Sequence, residues 1–117
     1  MPVPLHEAKA ALFRTIGHPI RIRVLELLCE REHVVHELLA NMEVEPSTLS
    51  QQLGILRRAG IVRQQRIGGE VRYSLMVPSI RELLAAARNT LGLLLADQAQ
   101  LQADLDEETS VDGEGAA

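Results

Sequence analysis

The chain has 117 residues, 46% hydrophobic and 24% charged, the balance of one ordinary globular domain. Leucine (19 residues) and alanine (13 residues) dominate, while Phe13 and Tyr73 are the aromatics, which favours helices and argues against a β-sandwich or a doubly wound α/β enzyme. The longest apolar runs, residues 83–87 and 93–96, are far shorter than the roughly 18 residues that span a bilayer, and one cysteine, Cys29, leaves no internal disulfide.

No basic segment precedes an apolar stretch near the N-terminus, so no signal peptide is expected, and the composition fits a cytoplasmic chain without a membrane segment. The net charge of −4 hides a segregated distribution. Residues 97–117 hold seven acids and no Lys or Arg, and the rest of the chain carries twelve basic and nine acidic residues, a net of +3. Residues 46–76 contain Arg57, Arg58, Arg63, Arg66 and Arg72 against one acid, Glu70. Screening limits the reach of the acidic end to about 8–10 Å. The arginine-rich segment therefore reads as the footprint of a polyanion partner.

Residues 5–16 place Leu5, Ala8, Leu12 and Ile16, with Phe13, on one helical face. Gly17, His18 and Pro19 break that helix, since glycine suits a C-cap and proline the first turn of a following helix. His6 and His18 read as cap or turn residues. The second helix has Ile20, Val24, Leu27 and Leu28 as its apolar stripe, and residues 30–32 form a charged connector. A third helix is expected at about 34–42, burying Val34, Val35, Leu38 and Leu39. After a turn at 43–45, Pro46 stands at the first position of a fourth helix. There Leu49, Leu53 and Leu56 face the core, which leaves Ser47, Thr48, Ser50, Gln51 and Gln52 outside. Gly60 stops it.

Beyond Gly60 the period changes to two. Residues 61–67 and the alternating Val71, Tyr73 and Leu75 read as strands joined by Gly68-Gly69 in a hairpin. A helix, a turn, a second helix and a basic hairpin, in that order, make a winged helix-turn-helix: mainly α with a small β-hairpin. Pro78 restarts a long helix in which Ile80, Leu84, Ala87, Leu91, Leu94, Gln98, Leu101 and Leu105 recur at alternating steps of four and three, with Leu83, Leu93 and Leu95 widening the seam. Each leucine left in water forgoes about 1.5–3 kcal/mol of burial. A partner helix is expected, most simply from a second copy. Residues 1–105 are thus expected to form one DNA-binding and dimerisation domain, and residues 106–117 a disordered acidic tail.

Three strings, GHPIRIRVLELL, STLSQQLGILRRAGIV and RIGGEVRYSL, resemble the ArsR/SmtB family of bacterial winged-helix repressors over roughly residues 8–96. The resemblance implies a homodimer joined through its first and last helices, including Leu5 and Leu12 at one end and Leu84, Leu91, Leu94, Leu95 and Leu101 at the other. It implies an inverted-repeat operator in double-stranded DNA, released on a chemical signal. On this resemblance Ser47, Ser50 and Gln51 fall on base- and phosphate-contacting positions, with Thr48 and Gln52 beside them, and Arg66 and Arg72 match the wing. Gln can pair with the N6/N7 edge of adenine, Ser can serve bases or phosphates, and Arg57 and Arg58 would hold the duplex without reading it.

The sensed signal is less legible. The Cys-x-Cys pair of metal-sensing relatives would fall at Val34 and His36, and residues 78–105 contain no His or Cys, so no metal or other cofactor is expected. An alternative ligand set, Cys29, His33 and His36 at steps of four and three with Glu37 adjacent, is one that zinc accepts in principle. Against it, Cys29 can close the second helix as a small hydrophobe, with both histidines solvated at the start of the third. Thiol-based sensing at Cys29, a small-molecule or protein effector, and a winged-helix interaction module without DNA binding stay open. No catalytic motif is present, and an enzyme is not expected.

Overall fold

The computed structural model describes the backbone of residues 2–115 and the side chains of residues 2–108. It divides at Arg81/Glu82 into two units. The first contains helices α1 (Leu5–Ile16) and α2 (Pro19–Glu30), strand β1 (His33–Val34), helices α3 (Val35–Ala40) and α4 (Pro46–Arg58), and strands β2 (Val62–Ile67) and β3 (Glu70–Leu75). The second is helix α5 (Ile80–Gly115), whose first two residues belong to the first unit. The fold is mainly helical with a three-stranded antiparallel sheet, the winged-helix arrangement that the pattern of elements predicts.

Local chemistry sets the helix ends. A Cβ at Gly17 would come within 2.8 Å of the Phe13 carbonyl oxygen, so only glycine closes α1 there. His18 caps α2, its Nδ1 accepting the Ile20 amide at 3.1 Å, and Pro19 fills the first turn. Helix α4 ends in a Schellman motif: the Gly60 amide donates to the Arg57 carbonyl and the Ile61 amide to that of Leu56, at 3.0 and 3.1 Å. Gly60 carries the required φ of +78°.

The core lies between α2, α3, α4 and the base of the hairpin. Val24, Leu25, Leu28, Leu38, Leu49, Leu53, Leu56 and Val62 are fully buried. Leu25 lies outside the stripe read from the sequence, because α2 is covered on more than one side. Truncating one of these leucines to alanine costs about 2–5 kcal/mol.

In the sheet, β3 is central, flanked by β1 and β2. Ile67 pairs with Glu70 across the turn, where Gly68 and Gly69 have φ of +59° and +83°. Two positive values in a two-residue loop are the hairpin geometry that glycine permits without strain.

Two expected boundaries differ. Residues 33–34 belong to the sheet and not to the third helix: His33 pairs with Tyr73 and Val34 with Arg72 along the other edge of β3. Helix α3 is correspondingly short, and two residues of strand carry no alternation that a sequence could display. At the other end, the backbone of α5 runs as helix through Gly115, beyond residue 105 where the domain is expected to end. The Gln100 and Gln102 side-chain amides donate to Asp104 and Asp106 at 2.9 Å, four residues on, pairs that each support a helix by about 0.2–0.5 kcal/mol. Ala116 and Ala117 lie outside the described residues.

Two apolar faces stand uncovered. On α1, Ile16 is buried, whereas Leu5 is 70% exposed, Phe13 59% and Leu12 39%. On α5, Leu91, Leu93, Leu94, Leu95, Leu101 and Leu105 are all about half exposed or more, and Leu84 is half-buried. No helix among the described residues is long and apolar enough to cross a membrane.

Candidate nucleic-acid interface

Helix α4 presents two chemically opposite sides. Leu49, Leu53 and Leu56 are sealed in the core, and that anchoring turns Ser47, Ser50 and Gln51 outward into solvent. Thr48 and Gln52 are half-buried at the margin. Gln52 is further constrained, because its Oε1 accepts Arg21 Nη1 from α2 at 3.2 Å. The two residues expected simply as neighbours on the exposed side are therefore less available than Ser47, Ser50 and Gln51.

The hairpin sorts its arginines by strand period. Arg66 stands opposite Val71 and Gln64 opposite Tyr73, which puts both on the face that continues into the core at Val62. Gln64 Oε1 accepts Arg57 Nη1 from α4 at 2.8 Å, so this is also the face turned to the recognition helix. Arg72, opposite Gln65, lies on the other face. Its guanidinium is 3.8 Å from Glu32 and 3.6 Å from Glu70. The sequence places no acid but Glu70 near these arginines; the fold supplies Glu32 from the connector after α2. Among the described residues Arg63 and Arg66 have no ion pair.

The alternative ligand set is not assembled. His33 is 3% exposed and sits in β1, with Nε2 3.1 Å from the Leu27 carbonyl oxygen, which fixes Nε2 as the protonated nitrogen. Its Nδ1 is 3.9 Å from Glu37 Oε2, beyond hydrogen-bond range. The Glu37 carboxylate already serves Arg31 Nη2 at 2.6 Å and the Val34 amide at 3.0 Å. The Arg31 hydrogen bond first, and the Val34 amide second, lower its pKa to about 2. Cys29 is half-buried at the end of α2 and His36 is exposed on α3. Among the described residues no three His, Cys, Asp or Glu side chains form a metal-holding group. Neither histidine pairing follows from the four- and three-residue steps, because strand β1 interrupts the helical spacing.

These features coincide with known proteins. The family model described as "Bacterial regulatory protein, arsR family" matches residues 18–64, from the cap of α2 into β2. The HTH-type transcriptional regulator Rv0081 of Mycobacterium tuberculosis H37Rv is 50% identical over 103 residues, covering 87% of this chain and 90% of its own. Its crystal structure superposes with a TM-score of 0.76 over 84% of this chain and 99% of that one. A biofilm growth-associated repressor of Agrobacterium fabrum is 37% identical over 74% of this chain and 77% of its own. The crystal structure of the repressor BigR from Xylella fastidiosa matches at 34% identity and a TM-score of 0.68, over 73% and 87% of the two chains. With the family model matched from α2 into β2 and half of all aligned positions identical to such a regulator, the chain belongs to the ArsR family of winged-helix bacterial transcriptional regulators.

Proposed function

We propose that this protein is a transcriptional repressor acting in the cytoplasm, binding an inverted-repeat operator as a homodimer until an effector releases it. The observation that carries this reading is the hydroxyl- and amide-bearing outer side of α4, Ser47, Ser50 and Gln51, held outward by three sealed leucines. Gln51 can pair with an adenine edge, and the serines suit bases or phosphates. The amides at the start of α4, where Pro46 occupies the first turn and no side chain caps it, suit a phosphate oxygen.

Arg57, Arg58 and Arg66 supply the sequence-independent grip. Arg72 would engage a phosphate only by giving up Glu32 or Glu70. About three cations per subunit neutralise roughly six phosphates per dimer, so log K falls with log salt at a slope near −5. The uncovered leucines of α5 support pairing with the same helix of a second copy, and the exposed Leu5, Leu12 and Phe13 of α1 support a further contribution to that interface. Two-fold symmetry sets the half-sites about 34 Å apart.

A gel-shift titration against the DNA upstream of the protein's own gene, at two salt concentrations, tests this. A shift that survives excess nonspecific DNA and weakens steeply with salt is expected. Binding that random-sequence DNA competes away equally well would defeat the operator reading.

A further inference from the structure

Arg21 occupies an unusual position for a charged side chain. It lies on α2, half-buried beneath the recognition helix, and donates from Nη1 to Gln52 Oε1 at 3.2 Å. Its Nη2 reaches the Arg14 carbonyl oxygen at the last turn of α1 only at 3.5 Å. Its Nε is sealed from solvent with no hydrogen-bond partner. A sealed donor atom without a partner is costly and rare enough to call for an account. The contact to Gln52 is the shortest this guanidinium makes, and it joins two helices 31 residues apart in the chain.

The chemistry of that contact fixes the amide. A guanidinium has five donors and no acceptor, so the atom of Gln52 facing it must be the carbonyl oxygen. The amide NH2 group then faces away from α2, and among the described residues it makes no hydrogen bond. A glutamine free to rotate offers a donor and an acceptor together, the combination that suits adenine. Gln52 has its acceptor turned inward and only its donor left at the margin of the outer side of α4.

We infer that Arg21 is a positioning residue that converts Gln52 into a donor-only reader of base edges. Such a reader favours acceptor-rich edges in the major groove, O6 and N7 of guanine or O4 of thymine, and disfavours cytosine, which offers a donor there. The inference rests on the operator-binding reading above and adds to it a specific preference, at one position of each half-site, set by a residue that touches no DNA.

Selection of binding sites from a random-sequence duplex pool, followed by sequencing, tests it with the native 117-residue chain and three variants. The native chain is expected to enrich an inverted repeat with guanine or thymine preferred roughly tenfold at one position per half-site. Arg21→Met, which keeps the length and loses the donors, should move the preference at that position towards adenine, and Gln52→Ala should flatten it, both leaving the rest of the repeat intact. Arg21→Lys, which still donates, should restore the preference in part. A general loss of structure would weaken every position together, and thermal melting of each variant identifies it. Should Arg21→Met unfold the chain, Gln52→Ala on the margin of α4 still decides: a repeat unchanged in that variant overturns the inference. A repeat unchanged in a folded Arg21→Met does the same while leaving operator binding standing. A pool with no enriched repeat for the native chain defeats the operator reading and this inference with it.

Discussion

Arg57 Nη1 donates a 2.8 Å hydrogen bond to Gln64 Oε1, which ties the last turn of the recognition helix to the middle of the first wing strand. The same strand face carries Arg66, two residues on, without an ion pair among the described residues. The two arginines are therefore not equivalent, although both lie in one basic segment. Arg66→Ala should weaken all DNA similarly and reduce the salt slope by about 2 for a dimer, one phosphate per subunit. Arg57→Ala should in addition release the wing from α4, read as faster amide exchange across residues 63–66. Unchanged exchange in Arg57→Ala would reduce that residue to a second phosphate clamp.

Gln51 is exposed beside Ser50, with no side-chain bond holding it among the described residues. Gln51→Ala should cost about 1–3 kcal/mol against the preferred operator and much less against random DNA. Competition titrations with both duplexes measure the difference. An equal loss on the two would mean that Gln51 grips and does not read.

Leu91 lies in the α5 seam and is 56% exposed in the single chain. Leu91→Glu places a charge in the middle of the expected helix–helix contact, where it cannot be desolvated without a partner. Sedimentation should show monomers for the variant and dimers for the native chain. A variant that stays dimeric would move the interface elsewhere.

Glu37 links pH to stability. Its carboxyl is lowered from 4.5 to about 2 by Arg31 and the Val34 amide, so between these values the unfolded chain binds a proton that the folded chain does not. The contribution of the Glu37 charge is fully present above about pH 4.5 and is lost as pH falls towards 2. Glu37→Gln keeps an oxygen for Val34 and Arg31 but removes the charge. Urea titrations should find the native chain more stable than the variant at neutral pH, with the gap closing below about pH 4. A gap independent of pH would mean that the carboxylate charge contributes nothing.

Much of this architecture could be read from residue order because its determinants are local. The four- and three-residue steps of Leu49, Leu53 and Leu56 and the Gly68-Gly69 turn each act within a few residues, and the helices and hairpin stand where those signals place them. What escaped depends on distant partners. Glu32 neutralises Arg72 across 40 positions of sequence, and Arg21 captures Gln52 across 31. Neither pairing leaves a trace in spacing or composition. Strand β1 exists because β3 has an edge to offer, and a strand of two residues shows no period of its own.

The brevity of β1 makes the chain intolerant of length changes at residues 30–32. His33 and Val34 must meet Tyr73 and Arg72 in one register, with His33 sealed against the Leu27 carbonyl and Val34 opening α3. Both side chains are buried, and a single inserted or deleted residue there would slip the pairing by one position and put other residues opposite Tyr73 and Arg72. Homologous regulators should therefore vary freely in how far α5 extends while keeping this connector at constant length, and an engineered one-residue insertion after Arg31 should uncouple β1 from β3.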